Sequence, residues 1–118
     1  MGQLKTKQTG DWGESEAVQF LVAAGYQVLE RNWRSGRSEI DIIAVADKTL
    51  VFVEVKVRKS SAYGFPETFV MPSQVNRIKN AAEQYQFKIN YSGFIRFDII
   101  SVLGIPGRFE IEHFKDAL

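Results

Sequence analysis

The chain has 118 residues, a formal net charge of +1 and no cysteine, and is 45% hydrophobic and 25% charged. That length and balance predict one globular domain over 1–118, large enough to bury a core without disulfide or metal staples. Zero cysteines and a single histidine, His113, exclude thiol catalysis, thiolate zinc and multi-histidine metal sites, and leave chemistry done by carboxylates, lysine or hydroxyls.

Residues 1–10 are polar and read as a flexible lead-in. Asp11 predicts a cap for a helix beginning near Trp12, with Ala17, Val18, Phe20, Leu21, Val22 and Ala24 as its apolar positions and Gly25 as its end. Tyr26 to Trp33 is a strand, and Ser35-Gly36 a turn. Glu39 to Ala46 is strand-like, with Ile and Val among its residues; Asp47-Lys48 makes the next turn, and Thr49 to Arg58 is the clearest strand. Residues 59–72 carry Gly64, Pro66 and Pro72 and read as a long loop; Ser73 caps a second helix through about Tyr85. Phe94 to Leu103 and Arg108 to Phe114 complete an α-β-β-β-α-β-β order, which predicts an α/β fold with a mixed sheet flanked by helices. No window approaches eighteen apolar residues and the start lacks an apolar signal core, so the expectation is no membrane span and a cytoplasmic protein.

Strand side chains alternate faces. Ile40, Ile42, Ala44 and Ala46 are expected on one face of their strand, with Glu39, Asp41, Ile43 and Val45 on the other; on the next strand Val51, Val53, Val55 and Val57 oppose Phe52, Glu54, Lys56 and Arg58. A turn centred on Asp47-Lys48 pairs Ala46 with Thr49, Asp41 with Glu54 and Glu39 with Lys56, with opposed β-carbons roughly 5 Å apart. Two carboxylates face to face destabilise a strand pair, so the register calls for a cation such as Mg²⁺ held by one or two carboxylates and water. Lys56 stands roughly 7 Å along the strand from Glu54, where it could orient an attacking water or steady a transferring phosphate. A solvated face with a Glu39–Lys56 pair explains any one of these charges more readily than it explains Asp41, Glu54 and Lys56 together amid apolar residues. Glu14 lies on the apolar stripe of the first helix with Val18 and Leu21, close enough in pattern to reach the same metal directly or through water; Glu16 falls with Phe20 instead.

Glu54-Val55-Lys56 preceded by Asp41 resembles the PD-(D/E)xK motif of restriction-endonuclease-like nucleases, with Ile40 in place of the proline. The chain is more closely similar to the YraN family of small bacterial proteins. The resemblance runs through Gly13-Glu14, Ala17, Gly25-Tyr26, Arg31-Asn32-Trp33-Arg34, Glu39 to Ala44, Val51 to Arg58 and Arg96-Phe97-Asp98. It implies a restriction-endonuclease-like αβββαβ core, and the core plan also resembles archaeal Holliday-junction resolvases. By that likeness Asp41 and Glu54 are metal-binding carboxylates, Lys56 is the catalytic lysine, Glu14 is the acid on the first helix, and Val55 offers its backbone carbonyl to the metal. Ser38 and Gln74 depart from the family's usual glycine and lysine; related nucleases place a glutamine near the site, so Gln74 becomes a candidate for orienting a ligand or touching phosphate.

Arg31, Arg34 and Arg37 precede the carboxylates, and Arg58 and Lys59 follow, a basic rim suited to a phosphate backbone; Trp33, Tyr63 and Phe65 offer faces for unstacked bases. Arg77 and Lys79 read as the polar face of the second helix, Asp98 as a structural partner for an arginine or amide, and His113 as a packing residue. These readings converge on a Mg²⁺- or Mn²⁺-dependent nuclease acting on DNA, with branched or recombination DNA implied only by the resolvase likeness. Symmetric cutting would need a homodimer, for which apolar residues from Phe65 to Met71 could supply the interface. The alternative is a nucleic-acid-binding module of the same fold that does not cut.

Overall fold

The computed structural model describes residues 7–60 and 69–118. Its elements run α1 (Lys7–Ala23), β1 (Gln27–Ser35), β2 (Ser38–Ala46), β3 (Thr49–Arg58), α2 (Pro72–Lys88), β4 (Phe94–Ile105) and β5 (Arg108–Phe114). The strands form one sheet in the order β1-β2-β3-β4-β5, antiparallel except for the parallel pair β3–β4. This is the α/β fold with a mixed sheet flanked by helices, in the expected element order. A parallel pair needs a crossover, and α2 supplies it. β3 sits at the centre and is apolar on both faces, as a strand covered on both sides must be.

Two core clusters flank the sheet. On the α2 side lie Ile40, Ile43, Leu50, Phe52, Ile78, Ala81, Ala82, Tyr85 and Ile99. On the α1 side lie Ala17, Leu21, Ile42, Ala44, Val51, Val53, Val55, Ile100 and Val102. The valine face of β3 is thus as expected, with Phe52 pointing the other way.

The second helix opens on Met71-Pro72 with no side-chain cap, so Ser73 lies inside it rather than capping it, and it runs to Lys88. Three further expectations need correction. The first helix begins by Lys7 rather than near Trp12, so Asp11 is not its cap but stands one turn in, paired with Lys7 at 3.4 Å. The reason is a buried stripe of Gly10, Gly13, Glu14, Ala17 and Leu21, whose helical spacing is hidden from an apolar count because two members are glycine. Packing overrides the low helix propensity of glycine there. Second, Ile40 and Ile42 do not share a face: Ile40 packs on the α2 side and Ile42 on the α1 side. Asn32 stands across from Asp41 between the pairs Arg31↔Ile42 and Trp33↔Ile40, and its φ of 51° is left-handed, a local twist at the point where β2 changes face. Third, Glu39 does not pair with Lys56; it faces Arg34 of β1 at 3.6 Å. Residues 7–10 of the expected lead-in over 1–10 are helical in α1, while its 1–6 part, Tyr63 and Phe65 lie outside the described residues, as does the 61–68 part of the long loop and the 65–68 part of the suggested interface.

Candidate active-site cleft

The β2–β3 register is set by the turn between them. Asp47 and Lys48 both have positive φ, at 50° and 63°, the backbone of a two-residue hairpin turn that matches strand twist. Ala46↔Thr49 follows, and the ladder runs through Val45↔Leu50 and Ala44↔Val51 to Ile42↔Val53, where it stops. Both strands continue, so beyond that rung they part. The next residues in register are Asp41 and Glu54. Asp41 bridges the opening by accepting the Val55 N–H on Oδ2 at 2.8 Å, doing with a side chain what a ladder carbonyl would otherwise do.

The opening is a cleft of about 300 Å³ lined by Arg37, Glu39, Asp41, Glu54, Gln74, Arg77 and Ile78. Asp41 is buried and Glu54 half-buried. Gln74, in the first turn of α2, donates from Nε2 to Glu54 Oε2 at 2.9 Å. Each central carboxylate is therefore aimed by an N–H donor from another part of the chain. Two like charges drawn to one opening are stabilised by a cation, and the donors are all oxygen, which suits a hard ion held partly by water rather than zinc. Among the described residues no three His, Cys, Asp or Glu side chains converge on one point, so any ion would take the rest of its shell from main chain and water.

The other candidates are distributed unevenly. Lys56 is half-buried two residues beyond Glu54, on the strand face shared with Phe52 and Glu54 by alternation, and outside the cleft lining. Glu14 is buried on the sheet-facing stripe of α1 and does not line the cleft. Arg37 reaches the cleft from the β1–β2 turn, whereas Arg34 is engaged with Glu39 and the Arg31 guanidinium donates to Ser15 Oγ on α1 at 3.3 Å. Arg58 and Lys59 lie at and just past the end of β3, outside the lining. Trp33 is no open stacking face: it meets Tyr85 edge-on at 5.1 Å in the α2-side core, with Lys88 over its ring. The sequence reading missed Arg77, which belongs to the cleft. The signal was available, since Gln74, Arg77 and Ile78 sit at i, i+3 and i+4 on α2.

Asp98 and His113 have the structural roles expected of them. Asp98 has no exposed surface and takes Arg96 Nε and Nη2 at 2.8 Å each, His113 Nε2 at 2.7 Å and the Asp116 N–H at 2.9 Å. Burial pushes this carboxyl up, but the hydrogen bonds from His113, Arg96 and Asp116 outweigh burial and hold its pKa at about 2. Arg96 also reaches the Tyr26 hydroxyl at 2.7 Å, so the cluster ties β4, β5 and the α1–β1 connection together.

The model of the uncharacterised protein family UPF0102 matches residues 13–102. A UPF0102 protein of Cytophaga hutchinsonii is 44% identical over 97 residues, covering 82% of this chain and 86% of that protein. One from Flavobacterium psychrophilum is 44% identical over 108 residues, covering 92% and 91%. One from Bacteroides thetaiotaomicron is 40% identical over 110 residues, covering 93% and 91%. Among solved structures, a Holliday junction resolvase from Archaeoglobus fulgidus is similar with a TM-score of 0.47 and 18% identity, covering 89% of this chain and 85% of that one. Among the described residues no helix is long and apolar enough to cross a membrane. With the family model spanning most of the sequence and relatives matching nearly end to end, the chain belongs to the uncharacterised protein family UPF0102, the YraN family.

Proposed function

We propose that the chain is a divalent-metal-dependent nuclease that hydrolyses phosphodiester bonds in DNA. The observation that carries this reading is the convergence of Asp41 and Glu54 in one cleft where β2 and β3 part, each aimed by an N–H donor. Asp41, Glu54 and the Val55 carbonyl would hold Mg²⁺ or Mn²⁺. The bound ion would offset the two carboxylates and polarise the scissile phosphate. Lys56 would orient the attacking water and steady the charge that builds on the phosphate as the P–O bond to the leaving oxygen breaks. Gln74 would hold Glu54 in its binding orientation. Glu14 stands outside the cleft lining and is given no step. Basic residues near the cleft would supply affinity without reading sequence. Branched DNA is the substrate that the likeness of the core plan to resolvases implies, with a homodimer to make paired cuts and the cytoplasm as the place of action.

The test is incubation with Mg²⁺ or Mn²⁺ and linear, flapped and four-way DNA, alongside Glu54→Ala. The expected result is metal-dependent cleavage that falls at least about 100-fold in the variant. Cleavage that survives Glu54→Ala contradicts the assignment. DNA binding without cleavage under every metal condition points instead to a non-cutting module.

A further inference from the structure

The cleft lining holds three carboxylates and two guanidinium groups. Every carboxylate has a donor: Glu39 faces Arg34, Asp41 takes the Val55 N–H, and Glu54 takes the Gln74 amide. The guanidinium groups differ. Arg37 and Arg77 are both exposed, and neither has a hydrogen-bond or ion-pair partner among the described residues. They come from separate elements, Arg37 from the tip of the β1–β2 turn and Arg77 from α2, one turn past Gln74. A guanidinium is a planar fork of donors that matches two oxygens of a phosphate, and it stays charged at any working pH. Two such groups beside a pair of carboxylates make a mixed site: anion-seeking at its margins and cation-seeking at its centre.

The charge balance decides when it can bind. Arg34 offsets Glu39, so Asp41 and Glu54 stand against Arg37 and Arg77, and the two acids compete with a phosphate backbone for those guanidinium groups. A divalent cation at Asp41 and Glu54 removes that competition and leaves the cleft positive.

We propose that Arg37 and Arg77 form a phosphate grip, holding backbone phosphates that neighbour the one presented to Asp41 and Glu54, and that the grip engages nucleic acid only when the cleft acids are neutralised. The identity of the ligand rests on the nuclease reading; the binding behaviour is measurable without any cleavage. By linkage the effect is reciprocal, so nucleic acid tightens the cation as the cation tightens nucleic acid. Arg31 and Arg34 belong to the same basic stretch of sequence but are engaged with Ser15 and Glu39 and stand outside the grip.

The experiment is a salt titration of DNA binding by fluorescence anisotropy, in chelator and in Ca²⁺, using a short duplex and a four-way junction. Wild-type protein is expected to bind more tightly in Ca²⁺ than in chelator, and Glu54→Gln to bind more tightly than wild type in chelator. Arg37→Ala and Arg77→Ala should each lower the dependence of log affinity on log salt by about one and weaken binding about tenfold. Lys88→Ala, at the far end of α2, is the control that should leave the slope unchanged. Arginine variants with wild-type slope and affinity overturn the grip. Cleavage by wild type with those slopes unchanged leaves the nuclease reading standing without it. Loss of binding in both variants with no cleavage by wild type leaves the grip standing and removes the nuclease. Absence of binding to either DNA overturns both.

Discussion

A carboxylate with no exposed surface persists only where its charge is matched, and Asp98 is matched four ways. Its folded pKa of about 2 lies below the ordinary value of 3.8, so the ionised form favours the fold. The sign follows from that direction. The stabilisation is full above about pH 4 and is lost as pH falls through the folded value near 2; it amounts to about 2 kcal/mol. Asp98→Asn should destabilise the protein by about 3 kcal/mol at neutral pH, because the half-buried Arg96 loses its counter-ion and the amide cannot accept all the donors aimed at the buried carboxylate. Urea denaturation should show that deficit narrowing between pH 4 and pH 2; a deficit constant over that range would contradict the account. An acid placed in the Ile-rich run Phe97 to Ile100 already read as a structural partner. His113 as its donor was not legible, because the pair forms only once β5 lies beside β4.

At the scale of elements, the β2–β3 hairpin was legible because a two-residue turn leaves one register, and that register brings Asp41 and Glu54 to the same opening. What the strand pattern did not reveal is the parting of the strands past Ile42↔Val53, which falls at the left-handed Asn32 across from Asp41 and is bridged by the side-chain bond to the Val55 N–H. The start of α1 was misplaced for a related reason. Its packing surface is made by what is missing: at Gly13 a β-carbon would stand 2.3 Å from Val57 Cγ2. Gly13→Ala should therefore destabilise by about 1–2 kcal/mol, the overlap exceeding the gain of about 1 kcal/mol in helix propensity. Adding Val57→Ala should recover part of that loss, and the two changes should be non-additive in denaturation midpoints. Strictly additive effects would show that α1 does not bear on β3 there.

Over the whole molecule, 15 basic and 14 acidic residues nearly cancel, and the sum conceals their placement. Glu14, Asp41 and Asp98 are buried acids, each embedded in a different part of the fold. Asp41 is the one that opens to the cleft, whose lining it shares with Glu54, Arg37 and Arg77. The basic residues divide likewise: neighbours in sequence, Arg31, Arg34 and Arg37, end on α1, on Glu39 and in the cleft respectively. Alternation can place a residue on a face, but only the packing of α2 over β2 and β3 decides which charges share a space, so Asp41 and Glu54 were readable from one hairpin, whereas the helical spacing of Arg77 from Gln74 marks a face without saying that it meets them. Everything proposed for function depends on those two carboxylates forming one cation site. The direct measurement is titration of Mn²⁺ into the protein, followed by the loss of the free-ion electron paramagnetic resonance signal. One ion per chain should bind, Asp41→Asn and Glu54→Gln should each weaken it at least about tenfold with circular dichroism unchanged, and the double variant should bind none. A double variant that binds Mn²⁺ as wild type does would contradict the central claim.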